Sequence, residues 1–297
     1  MCIFCIGQSA YDIIIPMTEP IVENRKYRIT EQFECGGGPA LNASFLIAKW
    51  GAPVQLISRI GDDEYGERIK KVLEEQKVGL DYLIPDKKIK TPYSFIFSNK
   101  GNGSRTLFNF PGELEEVVFS MPEENVDVIL SDGHEPEITL QAVKKYKNAV
   151  SIIDAGTYRE STYKVAKEVD YIVCSEDFAK QYTGKVINLQ NSESYEKIFK
   201  EVEKINHKNV VITLGSRGLL YRQDGKIKHF PAYEVNTVDT NGAGDVFHGA
   251  FAYGVYKKMK LIDILKISSM AAAISTESLG AQTSIPKLQT VIDSINS

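Results

Sequence analysis

Val238-Asp239-Thr240-Asn241-Gly242-Ala243-Gly244-Asp245-Val246-Phe247-His248-Gly249-Ala250 is the most specific stretch of this 297-residue chain. Its two glycines, flanking an alanine, let the backbone turn tightly and approach a ligand closely. The residues that follow, through Tyr256, read as a helix, so the amides of Gly242 to Asp245 stand at a helix N-terminus. Unpaired N–H groups there, aligned with the helix macrodipole, form an anion site. Asp245 in the first turn is placed to take a proton from a hydroxyl beside that anion, a role worth typically ~10²–10⁴-fold in rate. Preorganised amides add further stabilisation of developing charge. The plainer reading makes Asp245 an acid that caps the helix.

Outward from this segment, short β-branched runs alternate with amphipathic stretches. Strands are expected at Ile3 to Ile6, Val54 to Ile60, Val126 to Leu130, Val150 to Ile153, Tyr171 to Cys174 and Val210 to Leu214. Helices are expected at Ala40 to Trp50, capped by Gly51, and at Gly66 to Val78, stopped by Gly79. The alternation implies a mostly parallel sheet with helices on both faces. Ligands bind such sheets beyond the carboxyl ends of the strands, where Gly7, Asp132, Asp154, Ser175 and Gly215 stand. Two regions break the pattern. Ile13 to Phe33 reads as extended, and Thr91 to Phe110 reads as a β-hairpin turning at Lys100-Gly101-Asn102-Gly103-Ser104. Together they predict a small β lid (13–33 and 91–110) on an α/β body (1–12, 34–90 and 111–297). Phe95, Phe97, Phe108 and Phe110 share one face of the hairpin and need a cover, which a second subunit would supply.

Composition sets the compartment. The chain carries 43% hydrophobic and 25% charged residues and a formal net charge of −4. That balance speaks against nucleic acid as the main partner. No apolar run approaches the roughly 20 residues that span a bilayer, and the start of the chain lacks the basic region of a signal peptide. Cys2 and Cys5 have C-x-x-C spacing, but residues three apart on a strand face opposite sides. They read as reduced core thiols of a soluble cytoplasmic protein.

Asp239 to Asp245 resembles the C-terminal signature of the PfkB (ribokinase-like) carbohydrate kinases, and the likeness runs over nearly the whole chain. Gly36-Gly37-Gly38-Pro39-Ala40-Leu41-Asn42 resembles that family's sugar-binding signature. Ile60-Gly61-Asp62-Asp63-Glu64-Tyr65-Gly66 is similar to its G-x-D-x-x-G segment, and Thr213-Leu214-Gly215-Ser216-Arg217-Gly218 to its nucleotide turn. The resemblance implies a ribokinase-like three-layer α/β sandwich, with its mostly parallel central sheet and small β-sheet lid, that phosphorylates a sugar hydroxyl with ATP. It implies Asp245 as base and Gly242, Ala243 and Gly244 as anion hole. It gives sugar contacts to Asp12, Gly37, Gly38 and Asn42, and ATP contacts to Ser175, Thr213, Gly215 and Gly218. Asp239, Asn241, Ser275, Ser278, Gly280 and Ser284 would hold a monovalent cation, best potassium. Magnesium is expected with the ATP. The family's N-x-x-E pair, however, is replaced by Ser175 and Phe178, so its protein ligands stay open: Glu176 and Asp177 could substitute, or Ser175 simply caps a helix.

Within the family the chain most resembles the sulfofructose kinase and fructokinase branch. That likeness implies a ketose, or a ketose with an anionic head group, in preference to ribose. Lys26 on a lid strand and Asn109 opposite Phe108 and Phe110 would meet that group. His134 stands where the branch has an arginine. Gly7-Gln8-Ser9-Ala10-Tyr11-Asp12 lacks the G-x-G-x-x-G of a dehydrogenase, and Walker A and protein-kinase signatures are absent. The remaining alternative is a catalytically silent sugar-binding or sensor protein on the same fold.

Overall fold

Alternating apolar residues on the first strand already set out the layers. The computed structural model describes residues 2–101, 104–112 and 119–296. On β1 (Cys2–Ile6), Ile3 and Cys5 enter one apolar core while Cys2, Phe4 and Ile6 enter another. The two cysteines thus face opposite sides of the sheet as free thiols.

Among the described residues, β1 lies inside a nine-stranded sheet. Its neighbours on one side are β4 (Val54–Gly61) and β5 (Leu83–Asp86). On the other side follow β8 (Val126–Ser131), β9 (Val150–Ala155), β10 (Tyr171–Ser175) and β11 (Asn209–Thr213). These strands pair in parallel. An antiparallel pair, β12 (Leu219–Gln223) and β13 (Lys226–Phe230), closes one edge. One face is covered by α1 (Pro39–Lys49), α2 (Glu64–Glu75), α7 (Ala243–Tyr256), α8 (Leu261–Ser275) and α9 (Leu288–Asn296). The other carries α3 (Pro136–Lys145), α4 (Glu160–Ala166), α5 (Glu176–Thr183) and α6 (Ser192–Glu203). This is the three-layer sandwich that the alternation predicts.

A separate four-stranded sheet is built from β3 (Phe33–Gly37), β2 (Ala10–Met17), β6 (Tyr93–Asn99) and β7 (Arg105–Phe110), in that order. The hairpin of β6 and β7 forms as expected, although Asn102 and Gly103 of its turn lie outside the described residues. It is not isolated, because β6 pairs in parallel with β2. Tyr11 on β2 stacks on Tyr65 of α2 at 4.7 Å, which anchors this lid to the body.

Three local expectations need correction. First, α2 begins at Glu64, because Asp63 accepts the Gly66 amide and caps it. It ends at Glu75, well before Gly79, with Lys77 in the left-handed region at φ 65°. Second, Lys26 is on no strand. Residues 18–32 leave β2 as an irregular excursion, closed on itself by the Tyr27 hydroxyl, which bonds Val22 N and Pro20 O. Third, Phe95 and Phe97 are half-buried against the main core cluster, which Tyr27 also meets, whereas Phe108 and Phe110 stay 50% and 43% exposed.

Candidate functional site

The segment that opened the sequence reading folds as a turn leading into α7. Gly242 takes φ 75°, which an L side chain rarely adopts, and α7 starts at the next residue. In any helix start the first amides lack intrahelical acceptors, so those of Gly244 and Asp245 are free to face a ligand. Gly244 is exposed, with nothing within 4 Å of where a Cβ would stand.

The Asp245 carboxylate meets the sugar-side signature directly: Asn42 of α1 donates its Nδ2 amide to Oδ2 at 2.7 Å. Burial and then the charge of Asp154 push the Asp245 pKa up to about 7, although Asn42 and His248 pull it down. A carboxyl poised near neutrality is what a general base requires. Asp12 on β2 is also raised to about 7, by burial first and then by Asp245. Asp12 therefore senses the charge of Asp245. Ser94 and Asn109 share Asp12's face of the lid through the register Asp12↔Ser94↔Asn109, with Ser94 Oγ 3.4 Å from Asn109 Oδ1. Gly37 is a glycine for a steric reason: a Cβ there would lie 2.4 Å from Asp12 Oδ2. Gly38 precedes α1 as its N-cap.

Asp132, just beyond β8, is held by backbone amides and has His134 Nδ1 3.1 Å from its Oδ1. Its oxygens accept from Gln8 N, Ala40 N and His134 N at 2.8, 3.2 and 2.9 Å. Its pKa is lowered despite burial, by His134 and by these amides. An ionised acid reaching across from the sheet thus caps α1, which has no side-chain cap of its own. His134 meets a cation absent from the sequence reading, for Arg159 Nη1 is 2.6 Å from its Nε2. Arg105 of β7 was another residue without an assigned role, and it donates to Thr240 Oγ1 at 2.8 Å, bringing a guanidinium from the small sheet to the turn before α7. No strand period or motif marks such a contact in advance. Lys26 is exposed on the excursion.

On the nucleotide side, Thr213 ends β11 and Gly215 and Gly218 bound a short 3₁₀ turn. Ser175 caps α5 by accepting from Phe178 N at 3.0 Å and donates to Gly156 O at 2.7 Å. Phe178 is wholly buried against Tyr158 and Tyr182. Glu176 pairs with Arg217 of the 3₁₀ turn. The structure therefore gives the two altered positions a capping and a core-filling role, and ties up one of the two neighbouring acids.

At the C-terminal loop, Asp239 is 2% exposed and bridges two segments, accepting from Asn241 N and Gly280 N, both at 3.0 Å. Thr276 O accepts from Val238 N and Asp239 N. Ser275 and Ser284 are buried, Gly280 takes φ 86°, and Ser278 is exposed. Among the described residues no cluster of His, Cys, Asp and Glu could hold a metal ion.

Comparison with known proteins gives the family that this fold belongs to. The chain belongs to the pfkB family of carbohydrate kinases, whose model matches residues 2–288. Among similar proteins, a ribokinase of Staphylococcus aureus is 27% identical over 267 residues, 86% of each chain. A nucleoside kinase of Methanocaldococcus jannaschii is 25% identical over 299 residues, 98% of this chain and 95% of its own. Among solved structures, a ribokinase of Thermotoga maritima superposes with a TM-score of 0.83 at 27% identity, covering 100% of this chain and 99% of its own. An Arabidopsis thaliana ribokinase complexed with ribose and ATP superposes at 0.85 with 22% identity and the same coverage. The three-layer fold with its small sheet is that of ribokinases, and the protein is a kinase of this family. No helix among the described residues is long and apolar enough to cross a membrane.

Proposed function

We propose that this kinase transfers the terminal phosphoryl group of ATP to a hydroxyl of a small sugar, a ketose in preference to ribose, with Asp245 as base. The observation that carries this is the Asp245–Asn42 contact, which places a carboxyl with a pKa near 7 at the start of α7 and against the sugar signature. Asp245 would take the hydroxyl proton as that oxygen attacks phosphorus, while the amides of Gly242 to Asp245 hold the charge gathered on the transferred group. Asp12, Asn42, Gly37 and Gly38 would hold the sugar, and Arg105 would meet the phosphates from the lid. Ser175, Thr213, Gly215 and Gly218 would line the ATP site. The lid comprises the small sheet and the 18–32 excursion, and the remainder of the chain forms the body.

His134, Asn109 and Lys26 would set the choice of sugar. Arg159 against His134 Nε2 supports an anionic head group, since it puts a fixed positive charge at that corner. ADP release measured for fructose, fructose 6-phosphate, sulfofructose and ribose tests the substrate class. We expect kcat/KM to favour the ketoses and Lys26→Ala to weaken the anionic ones. Ribose ranking first with Lys26→Ala neutral returns the enzyme to a plain ribokinase, and no turnover with any sugar favours a silent sugar sensor.

Magnesium would enter on the ATP phosphates. Phe178 is core and Glu176 is held by Arg217, which leaves the exposed Asp177 as the neighbouring acid that would meet it. A monovalent cation suits the oxygen-only set of Asp239, Asn241, Ser275, Ser278, Gly280 and Ser284. Asp239 already ties this loop to the anion turn, so an ion there would stiffen both. Replacing sodium by potassium is expected to raise kcat, and equal rates in the two salts remove the site. Exposed Phe108 and Phe110 support a homodimer through the lid. Light scattering should then read twice the 33.2 kDa chain mass, and the single mass at micromolar concentration rejects the dimer. Four free thiols, three of them buried, suit the cytoplasm.

A further inference from the structure

His248 belongs to the Val246–Ala250 stretch that follows the signature, and the mechanism above gives it no part. It is 4% exposed on α7, one turn beyond Asp245. Its Nδ1 lies 2.6 Å from Gly244 O and 3.1 Å from Asp154 Oδ2, and its Nε2 lies 3.1 Å from Val173 O. Backbone carbonyls only accept hydrogen bonds. Nε2 must therefore carry a proton to bond Val173. Nδ1 must carry one as well, because two lone pairs facing each other at 2.6 Å repel. A ring protonated on both nitrogens is an imidazolium, and Asp154 is its counter-ion.

Burial lowers the pKa of His248 even against the two carbonyls and Asp245, and with Asp132 it raises that of Asp154 to about 8, so the case for the charged pair stands on the ring geometry. Together the two form a neutral pair, and the three acceptors around the ring fix where its proton resides. Charged neighbours act on both partners. Asp245 favours the protonated ring, while His134 and Arg159 favour the Asp154 carboxylate.

We propose that His248, protonated against Asp154, is a positioning residue that fixes the Gly244 carbonyl and through it the anion turn. The link is the planarity of one peptide unit. The carbonyl of Gly244 and the amide N–H of Asp245 belong to the same plane and point in opposite directions. Clamping the carbonyl toward the helix body turns the Asp245 amide outward, toward a bound anion. The Gly244 carbonyl also accepts the helical bond from the His248 amide, so the ring adds a second restraint at a first-turn glycine that has no side chain to pack. Asp154 on β9 and Val173 on β10 anchor the clamp to the centre of the sheet. The proposal rests on reading Gly242 to Asp245 as the anion site.

The test combines ring spectroscopy with a pair of substitutions in the full chain. Nitrogen–proton correlation spectra of the histidine-labelled protein at pH 7 should show one ring protonated on both nitrogens, absent in His248→Asn and reduced to one proton in Asp154→Asn. His248→Asn keeps an amide donor for Gly244 O and should hold kcat within a few-fold. His248→Leu fills the space without a donor and should cut kcat by about tenfold or more, since losing one aligned amide from such a site costs ~10²–10³-fold. The sugar KM should stay unchanged in both. A His248 ring with a single proton in the parent protein overturns the proposal, as do equal rates for the two variants. If His248→Leu does not fold, the spectra of the parent and of Asp154→Asn decide. Asp245→Asn, assayed alongside, separates the two readings: full turnover there removes the base, whereas the ring protons report on the clamp alone.

Discussion

Asp245→Asn is expected to bind sugar and ATP within a few-fold of the parent and to turn over ~10²–10⁴-fold more slowly. The amide is nearly isosteric and its oxygen can still accept from Asn42, so the pocket keeps its shape. What is lost is the lone pair that receives the hydroxyl proton, which matters only as the reaction proceeds. The same group sets a pH dependence. Burial and Asp154 raise the Asp245 pKa to about 7, so the protonated, inactive form gains below that pH. The limb of kcat/KM should therefore fall about tenfold per unit on the acid side of neutrality, far above the ordinary carboxylate range. In Asp245→Asn this limb should disappear from the residual rate. A parent profile flat from pH 5 to 8, together with a variant turning over normally, would leave Asp245 as no more than a capping acid.

The contrast between what the sequence disclosed and what it hid follows chain distance. The parallel strands were readable because a buried strand is a local run of β-branched residues; all six expected strands occur, with ends shifted by no more than two residues. The turn into α7 was readable because its glycines and Asp245 lie within four residues of one another. Asn42 meeting Asp245 spans 203 residues and was not foreseen, since the family likeness gave Asn42 only a sugar contact. The rest of the site is assembled by the ends of different strands. Asp132 capping α1, Arg159 against His134 and Asp154 against His248 leave no local pattern, since each residue's own neighbours are ordinary. Lys26 went astray for another reason. Residues 18–32 are polar and extended in composition, and nothing local announces that the Tyr27 hydroxyl folds them back on Pro20 and Val22. The replaced N-x-x-E pair shows the reverse, since Ser175 three residues before Phe178 already had the spacing of a helix cap.

Gly242→Val is expected to lose at least as much turnover as removal of a single anion-site donor, ~10²–10³-fold, and to lower Tm by several degrees. Two effects add. The residue sits at φ 75°, where an L side chain costs roughly 1–2 kcal/mol and a β-branched one more. Its Cβ would also stand 2.6 Å from Ala281 Cβ and 3.0 Å from Ala281 Cα. The second contact is with backbone, so rotating a side chain does not relieve it, and one of the two loops must move. Neither moves alone. The loop at Ala281 holds Gly36 N through Gln282 Oε1 and is tied at Gly280 N to Asp239. A shift there reaches the sugar signature, the proposed cation ligands and the anion turn together. Gly244→Ala is the control, because its Cβ meets open space and should leave Tm nearly unchanged. Comparing kcat and Tm of the two variants separates a conformational requirement from mere crowding of the site. Should Gly242→Val keep kcat within threefold of the parent, the turn cannot be the rigid anion hole on which the proposed transfer depends.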